Sequence, residues 1–140
     1  MFVPGTWVPS PAVPGTNTSP GLIVYRFGAD LFYANANRFC DEVRALVAAA
    51  PTPVRHFVVD CSAITDLDYS AAQSLRDLLD HLRERHVTVL FARVNPYMRS
   101  DMDRHQLTPV VGDSHVFSTL HESLAAAGVQ LAIHDSVPVE

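Results

Sequence analysis

Two short apolar runs on either side of one amphipathic helix constrain the fold of this chain most strongly. Residues 54–61, VRHFVVDC, and residues 87–93, VTVLFAR, are mostly apolar and short, which is typical of buried strands. Between them, apolar side chains recur at helical spacing on one stripe: Ala71, Leu75, Leu78, Leu79 and Leu82. Strands that are joined through a helix are parallel. The pattern therefore predicts an α/β domain with a mostly parallel sheet.

The same alternation continues on both sides of this unit. LIVYRF at 22–27 predicts a strand. ADLFYAN at 29–35 predicts a second extended piece after a turn at Gly28, so that the two form an antiparallel pair at one edge. Helices are expected over three further segments: 37–50, with Asn35 or Asn37 as the N-cap, 95–107, with Asn95 as the N-cap, and 119–128, with Thr119 and Glu122 at capping-box spacing.

Shorter pieces complete the predicted architecture. Residues 110–111 and 115–117 predict minor β pieces, and residues 129–134 predict a last edge strand or an ordered tail. The expected fold is a small, mostly parallel mixed sheet flanked by about four helices.

The first twenty residues differ in composition from the rest. They contain five prolines and no charged residue, and proline fixes φ and removes backbone donors. We therefore expect a linker or tail over 1–20, the folded domain over 21–134 and a C-terminal tail over 135–140. The proline-rich start also suggests a piece of a longer protein.

Composition excludes several classes of function. The net charge of −5 argues against a nucleic-acid partner, which requires a basic face. Cys40 and Cys61 are not spaced as metal ligands, and the seven histidines lack the spacing of a zinc motif. No apolar run approaches the roughly 20 residues that span a bilayer.

The loop between the strand at 54–61 and the following helix carries the candidate functional groups. Asp60, Asp66 and Asp68 stand within nine positions, and Ser70 follows at the start of the helix. With Asp68 as the N-cap, Ser70 lies in the first turn, beside free N–H groups and the positive end of the helix dipole. The residues alone are compatible with an acid pair, a magnesium site, a phosphate cradle, a phosphorylation switch, or ordinary N-cap chemistry.

The enzyme interpretation lacks a second group. Asp66 and Asp68 lie in one loop and do not face each other across a substrate, and no GxSxG elbow surrounds Ser70. No catalytic and no metal site is therefore predicted. The sequence has no Walker loop and no GxGxxG motif, so a nucleotide would have to use residues 66–70, with Arg93 and Asn95 from the next loop at the same sheet edge.

Three segments in order resemble the STAS domain of SulP-family anion transporters, which is related to the anti-sigma-factor antagonists. They are PGLIVYRFGADLFYANANRFCDEV, VRHFVVDCSAITDLDYSAAQSLRDLL and VTVLFARVNPYMRSDMDRHQL, and the resemblance covers about residues 20–128. It implies a STAS fold and a cytoplasmic C-terminal domain that follows a membrane transport domain, with the proline-rich segment as the linker. Such a domain is not an enzyme, and it regulates transport through contacts with the membrane domain of its own chain and with other proteins.

The resemblance also implies roles for particular residues. In the antagonists a loop serine is phosphorylated by the partner kinase, and Ser70 occupies that position. Nucleotide binding has been proposed for the transporter branch, so GTP, GDP, ATP or ADP is a possible ligand, although no cofactor is required. The sequence departs from the family loop at Tyr69, in place of the first Ser or Thr, and at Ala71, in place of glycine.

The leading prediction is a regulatory and interaction domain on the cytoplasmic side of a membrane sulfate or similar anion transporter. Its nucleotide- or partner-binding corner is expected to comprise Asp66, Leu67, Asp68, Tyr69, Ser70, Ala71, Arg93 and Asn95. The alternatives are a free-standing anti-sigma antagonist that is phosphorylated on Ser70 and a small hydrolase that uses the Asp66/Asp68 loop.

Overall fold

The computed structural model describes residues 20–128, which form one parallel sheet with helices on both faces. The three strands are β1 (Leu22–Arg26), β2 (His56–Asp60) and β3 (Thr88–Ala92), in the order β1-β2-β3. The register places Leu22 opposite His56 and His56 opposite Thr88. The helices are α1 (Tyr33–Ala49), α2 (Tyr69–Glu84), α3 (Pro96–Arg104), α4 (Thr108–Val111) and α5 (Leu120–Ala126), with a 3-10 turn at Asp113–His115.

Each face of the sheet buries its own apolar cluster. The larger cluster joins alternate strand residues such as Phe57 and Phe91 to α1, α2 and α3, where Phe39, Leu75 and Met98 are buried. The smaller cluster lies on the opposite face, where Val58 and its neighbours pack against Leu120 of α5. Because side chains alternate along a strand, all three strands are buried on both faces, as their continuous apolar sequences predict.

The crossover unit β2–α2–β3 and the predicted N-caps Asp68, Asn95 and Thr119 are confirmed. The helix α2 begins directly after Asp68, whose carboxylate accepts a hydrogen bond from the N–H of Ala71 at 2.8 Å. Thr119 caps α5 through the N–H of Glu122 at 3.1 Å. In both places the sequence carries an N-cap residue in front of an amphipathic run, so local chemistry alone fixes the start of the helix.

The prediction of an antiparallel strand pair at one edge of the sheet is wrong. The last three residues of the 29–35 segment belong to α1, which begins at Tyr33, and Leu31 forms an isolated bridge with Leu67 that is parallel. Asn35 and Asn37 are not N-caps. Asn35 lies in the first turn of α1, where its side chain accepts from the N–H of Phe32 at 2.8 Å and donates to the carbonyl of Asp30 at 2.7 Å.

The minor β pieces have a mixed outcome. Residues 110–111 are not β structure but the end of α4, so this prediction is wrong. The 115–117 prediction is partly right, because Val116 forms a parallel bridge with Phe91. The predicted linker 1–20, apart from its last residue, the strand or tail at 129–134 and the tail 135–140 lie outside the described residues. Within residues 20–128, no helix is long and apolar enough to cross a bilayer.

Candidate functional site

Residues 64–68, called here the 64–68 loop, form the last part of the connection from β2 to α2 at the carboxyl edge of the sheet. Asp30, which precedes α1, holds its centre, because one oxygen of the Asp30 carboxylate accepts from the N–H of Thr65 at 2.6 Å and from that of Asp66 at 3.1 Å. The same oxygen accepts from the Thr65 hydroxyl at 3.0 Å. Desolvation raises the pKa of Asp30, but these hydrogen bonds outweigh it, and the net pKa lies below the usual range.

Two side chains from the β3–α3 side hold the same loop. The Asn95 amide donates to the carbonyl of Ile64 at 2.8 Å, while its oxygen caps α3 through the N–H of Met98 at 2.9 Å. The Asp101 carboxylate accepts from the N–H of Leu67 at 3.0 Å. The loop is therefore fixed from both sides. Asn95, a predicted site residue, contacts the loop at Ile64 and not at the start of α2.

Asp68 joins the N-termini of two helices. One carboxylate oxygen accepts from the N–H of Ala71 in α2, and the other accepts from the N–H of Tyr33 in α1 at 3.0 Å. Its backbone N–H also donates to the carbonyl of Leu31 at 3.1 Å. A carboxylate between two positive helix ends is a favourable arrangement. Sequence reasoning missed the bond to Tyr33, because no local pattern connects residues 35 positions apart.

The predicted corner residues divide into exposed and buried groups. Asp66 and Ser70 are exposed, and the Ser70 hydroxyl has no hydrogen-bond partner within residues 20–128. Tyr69 is 59% exposed, and its ring lies edge-on to the ring of His105 at 5.9 Å between centroids. The side chains of Leu67 and Ala71 are buried in the core. These two residues can present only their backbone to a partner. Because the methyl group of Ala71 is buried, alanine in place of glycine does not obstruct the exposed surface of the corner.

Arg93 does not meet the 64–68 loop. It adopts a left-handed backbone with φ of 57°, and its guanidinium lies 3.6 Å from a carboxylate oxygen of Asp60. Asp60 is fully buried at the end of β2, on the α5 side of the sheet, because it alternates with Val58 in the same direction. Its other oxygen accepts from the N–H of Ser62 at 3.0 Å. The pair Asp60–Arg93 is therefore separate from the corner around Asp68.

Two open grooves adjoin the start of α2. The first has a volume of about 290 Å³ and is lined by Phe32, Asp66, Leu67, Asp68, Tyr69, Asp101, Arg104 and His105. The second, of about 460 Å³, shares Tyr69, Arg104 and His105 with it and is also lined by Gln73, Arg76 and Gln106. Phe32 and Arg104 were not among the predicted site residues. The exposed aromatic residues in FYAN were the available signal for Phe32.

The donors that remain for an anion are few. Every backbone N–H from Thr65 to Asp68 already donates to a group of the domain, and the N–H of Ala71 donates to Asp68. Of the first turn of α2, the N–H groups of Tyr69 and Ser70 have no acceptor among the described residues. Within the same residues, no three acidic, histidine or cysteine side chains are grouped as metal ligands.

Known proteins share this fold and sequence pattern. A family model described as the STAS domain matches residues 14–123. A probable sulfate transporter of Mycobacterium tuberculosis is 31% identical over 113 residues, which cover 81% of this chain and 20% of that protein. The chain thus spans about a fifth of the length of this relative.

Two solved structures agree with the fold. A sulfate transporter family protein from Wolinella succinogenes superposes with a TM-score of 0.69 at 16% identity, over 81% of this chain and 89% of that one. The murine Solute Carrier 26 family member A9 anion transporter gives a TM-score of 0.75 at 18% identity, over 92% of this chain and 23% of that one. Since the family model matches most of its residues, the chain belongs to the STAS domain family.

Proposed function

We propose that this chain is the regulatory domain of a membrane transporter for sulfate or a similar anion and that it lies on the cytoplasmic side. The observation that carries the proposal is that 113 residues of this chain match 20% of a probable sulfate transporter, which is therefore about four times as long as this chain. The domain acts through contact and does no chemistry of its own. Its contact region is the corner where α1 and α2 begin.

The geometry of this corner supports a contact role. The backbone N–H groups of residues 65–68 all donate to groups of the domain, so the loop keeps one shape without a partner. The exposed side chains at its rim include Phe32, Tyr33, Asp66, Tyr69 and Ser70. A surface that is already ordered loses little conformational entropy on binding, which suits a docking site.

The size and location of the native gene product test this proposal. An antibody against residues 20–128 should detect a membrane-bound polypeptide about four times as long as this chain, as the length of the relative implies. Reading the coding sequence should give roughly ten or more apolar segments upstream, each long enough to span a bilayer. A native product of only 140 residues in the soluble fraction would contradict the proposal.

Nucleotide binding at this corner is a finer proposal. The free N–H groups of Tyr69 and Ser70 could hold one phosphate, and the exposed Tyr69 ring could stack on a guanine or adenine base. The nearby carboxylates of Asp66 and Asp68 oppose a phosphate, so we expect weak binding of GTP, GDP, ATP or ADP. Changes in amide chemical shifts during a nucleotide titration test the site. Shifts that do not include residues 66–72 would contradict nucleotide binding at this corner.

Phosphorylation of Ser70 is the second candidate, because its hydroxyl is exposed and has no partner among residues 20–128. Tyr69 stands beside it and narrows the approach of a kinase. The free-standing antagonist is not favoured by the transporter relative described above. Mass spectrometry of the native protein tests the modification, and an unmodified Ser70 under all growth conditions would exclude it.

A further inference from the structure

All four large hydrophobic side chains that are strongly exposed in residues 20–128 lie at the starts of helices on one edge of the domain. Phe32 precedes α1 and Tyr33 opens it, Tyr69 opens α2, and Tyr97 lies in the first turn of α3. The first three surround the junction that Asp68 makes, with exposed fractions of 45%, 75% and 59%. Clusters of exposed aromatic side chains are more common on interaction surfaces than on the rest of a protein surface.

The same junction carries three carboxylates without a cationic partner. Asp30, Asp66 and Asp68 form no ion pair with any described arginine or histidine, whereas Asp60 and Asp101 each pair with an arginine. The N–H groups described above partly offset the charge of Asp30 and Asp68. Asp66 has no such compensation, because its carboxylate is exposed and accepts no hydrogen bond from residues 20–128. The surface therefore combines aromatic area with negative charge.

Arg104 is a cation on this surface that already has a carboxylate partner. It lines the groove beside Phe32 and Tyr69 but pairs with Asp101. The other basic residue in the walls of this groove, His105, contacts the ring of Tyr69, so the described lining holds no arginine without a carboxylate partner.

We propose that this acidic aromatic corner, formed by Phe32, Tyr33, Tyr69, Asp30, Asp66 and Asp68, docks an arginine- or lysine-bearing segment. A cation above an aromatic face is attracted by the ring quadrupole, and arginine also stacks on the ring and bonds carboxylates. The source of the segment rests on the proposed function: it is a cytoplasmic loop of the transport domain in the same protein, since such loops carry an excess of Lys and Arg. An anionic membrane surface is excluded as the partner by the negative charge of the corner.

The chemistry of the corner is tested on this chain with two probe peptides. One has alternating arginine and leucine, and its matched control has glutamate in place of arginine. Titration of the isotope-labelled chain should shift the amides of residues 30–34 and 65–71 with the arginine peptide only. Tyr33→Ala and Asp66→Asn should each weaken binding about two- to fivefold, and together about tenfold, as expected for one exposed cation–π contact and one surface ion pair.

Matched variants show whether the effect belongs to the corner. Tyr97→Ala removes an equally exposed tyrosine from α3, and Asp77→Asn removes an exposed carboxylate further along α2. Both should leave the affinity unchanged. Equal binding of the glutamate peptide, equal losses in the control variants, or binding to phosphatidylserine vesicles that needs Tyr33 and Asp66 would each overturn the proposal.

The partner is tested in the full-length protein by a photo-reactive amino acid at position 33. The expected cross-link joins position 33 to a Lys- or Arg-containing cytoplasmic loop of the same protein. A cross-link to a loop without cations would overturn the inference but leave the proposed function in place. If the native protein has no transport domain, the proposed function and the source of the partner fail together, while the peptide titration still decides the chemistry.

Discussion

The junction between α1 and α2 depends on one carboxylate, so its removal tests the fold sharply. Asp68→Ala removes the acceptor for the N–H of Ala71 at 2.8 Å and for the N–H of Tyr33 at 3.0 Å. Loss of an N-cap acceptor costs about 1 kcal/mol. Loss of a second bond from an N–H to a charged acceptor costs about 1 kcal/mol more. We therefore expect the free energy of unfolding in urea to fall by about 2 kcal/mol.

A proline at position 33 isolates the second bond. Proline suits the first position of a helix and lacks the N–H, and Phe32 before it has the extended backbone (φ −116°, ψ 167°) that a residue preceding proline prefers. In a Tyr33→Pro background, Asp68→Ala should cost only about 1 kcal/mol. In the Tyr33→Ala control, which loses the ring but keeps the N–H, the cost should stay at about 2 kcal/mol.

The two backgrounds give a clear refutation. If Asp68→Ala lowers the free energy of unfolding equally with proline and with alanine at position 33, the Asp68 carboxylate does not join the two helices. Ser70→Ala serves as the neighbouring control and should change the free energy of unfolding by less than about 0.5 kcal/mol, because its hydroxyl is exposed and unbonded.

Three further predictions concern other parts of the domain. The pKa of Asp30 is lowered in the folded domain, so its carboxylate stabilises the domain above the ordinary aspartate pKa, and this stabilisation is lost as the pH falls through the lower folded pKa. The difference in free energy of unfolding between wild type and Asp30→Asn should therefore disappear in unfolding measurements at acid pH. Burial raises the pKa of Cys40 to about 11 and that of Cys61 well above its usual value, so both thiols should react with a thiol reagent only after unfolding. Arg93→Gly should destabilise the domain less than Arg93→Ala by about 1 kcal/mol in urea, because both lose the ion pair with Asp60 but only glycine is relaxed at a φ of 57°.

The parts of the fold that follow from local chemistry could be predicted from the sequence. The apolar run of β2, the cap at Asp68 and the stripe of α2 specify one unit within 30 residues, and the structure reproduces it. The start of α1 could not be predicted, because Phe32 offers no side-chain cap and the acceptor comes from Asp68 across the domain. N-cap preferences in the sequence therefore favoured Asn35 or Asn37 as the start of this helix.

Two other differences arise from tertiary context. Val110 and Val111 have high β propensity, yet they end a short helix that Thr108–Pro109 opens, with the N–H of Val111 bonded to the carbonyl of Leu107 at 3.0 Å. Arg93 was expected near Ser70 because both follow parallel strands. Its left-handed backbone sends the side chain to Asp60 instead, and no sequence pattern predicts a left-handed arginine.

Anion uptake by the full-length protein tests the central claim most directly, namely that this domain regulates transport through the corner at the start of α1 and α2. Cells that express the protein with Tyr33→Ala and Asp66→Asn should take up labelled sulfate at an altered rate, at equal amounts of protein in the membrane. The Tyr97→Ala and Asp77→Asn control should transport like the wild type. An altered rate after deletion of residues 20–128, with unchanged uptake by the corner variant, would contradict the claim.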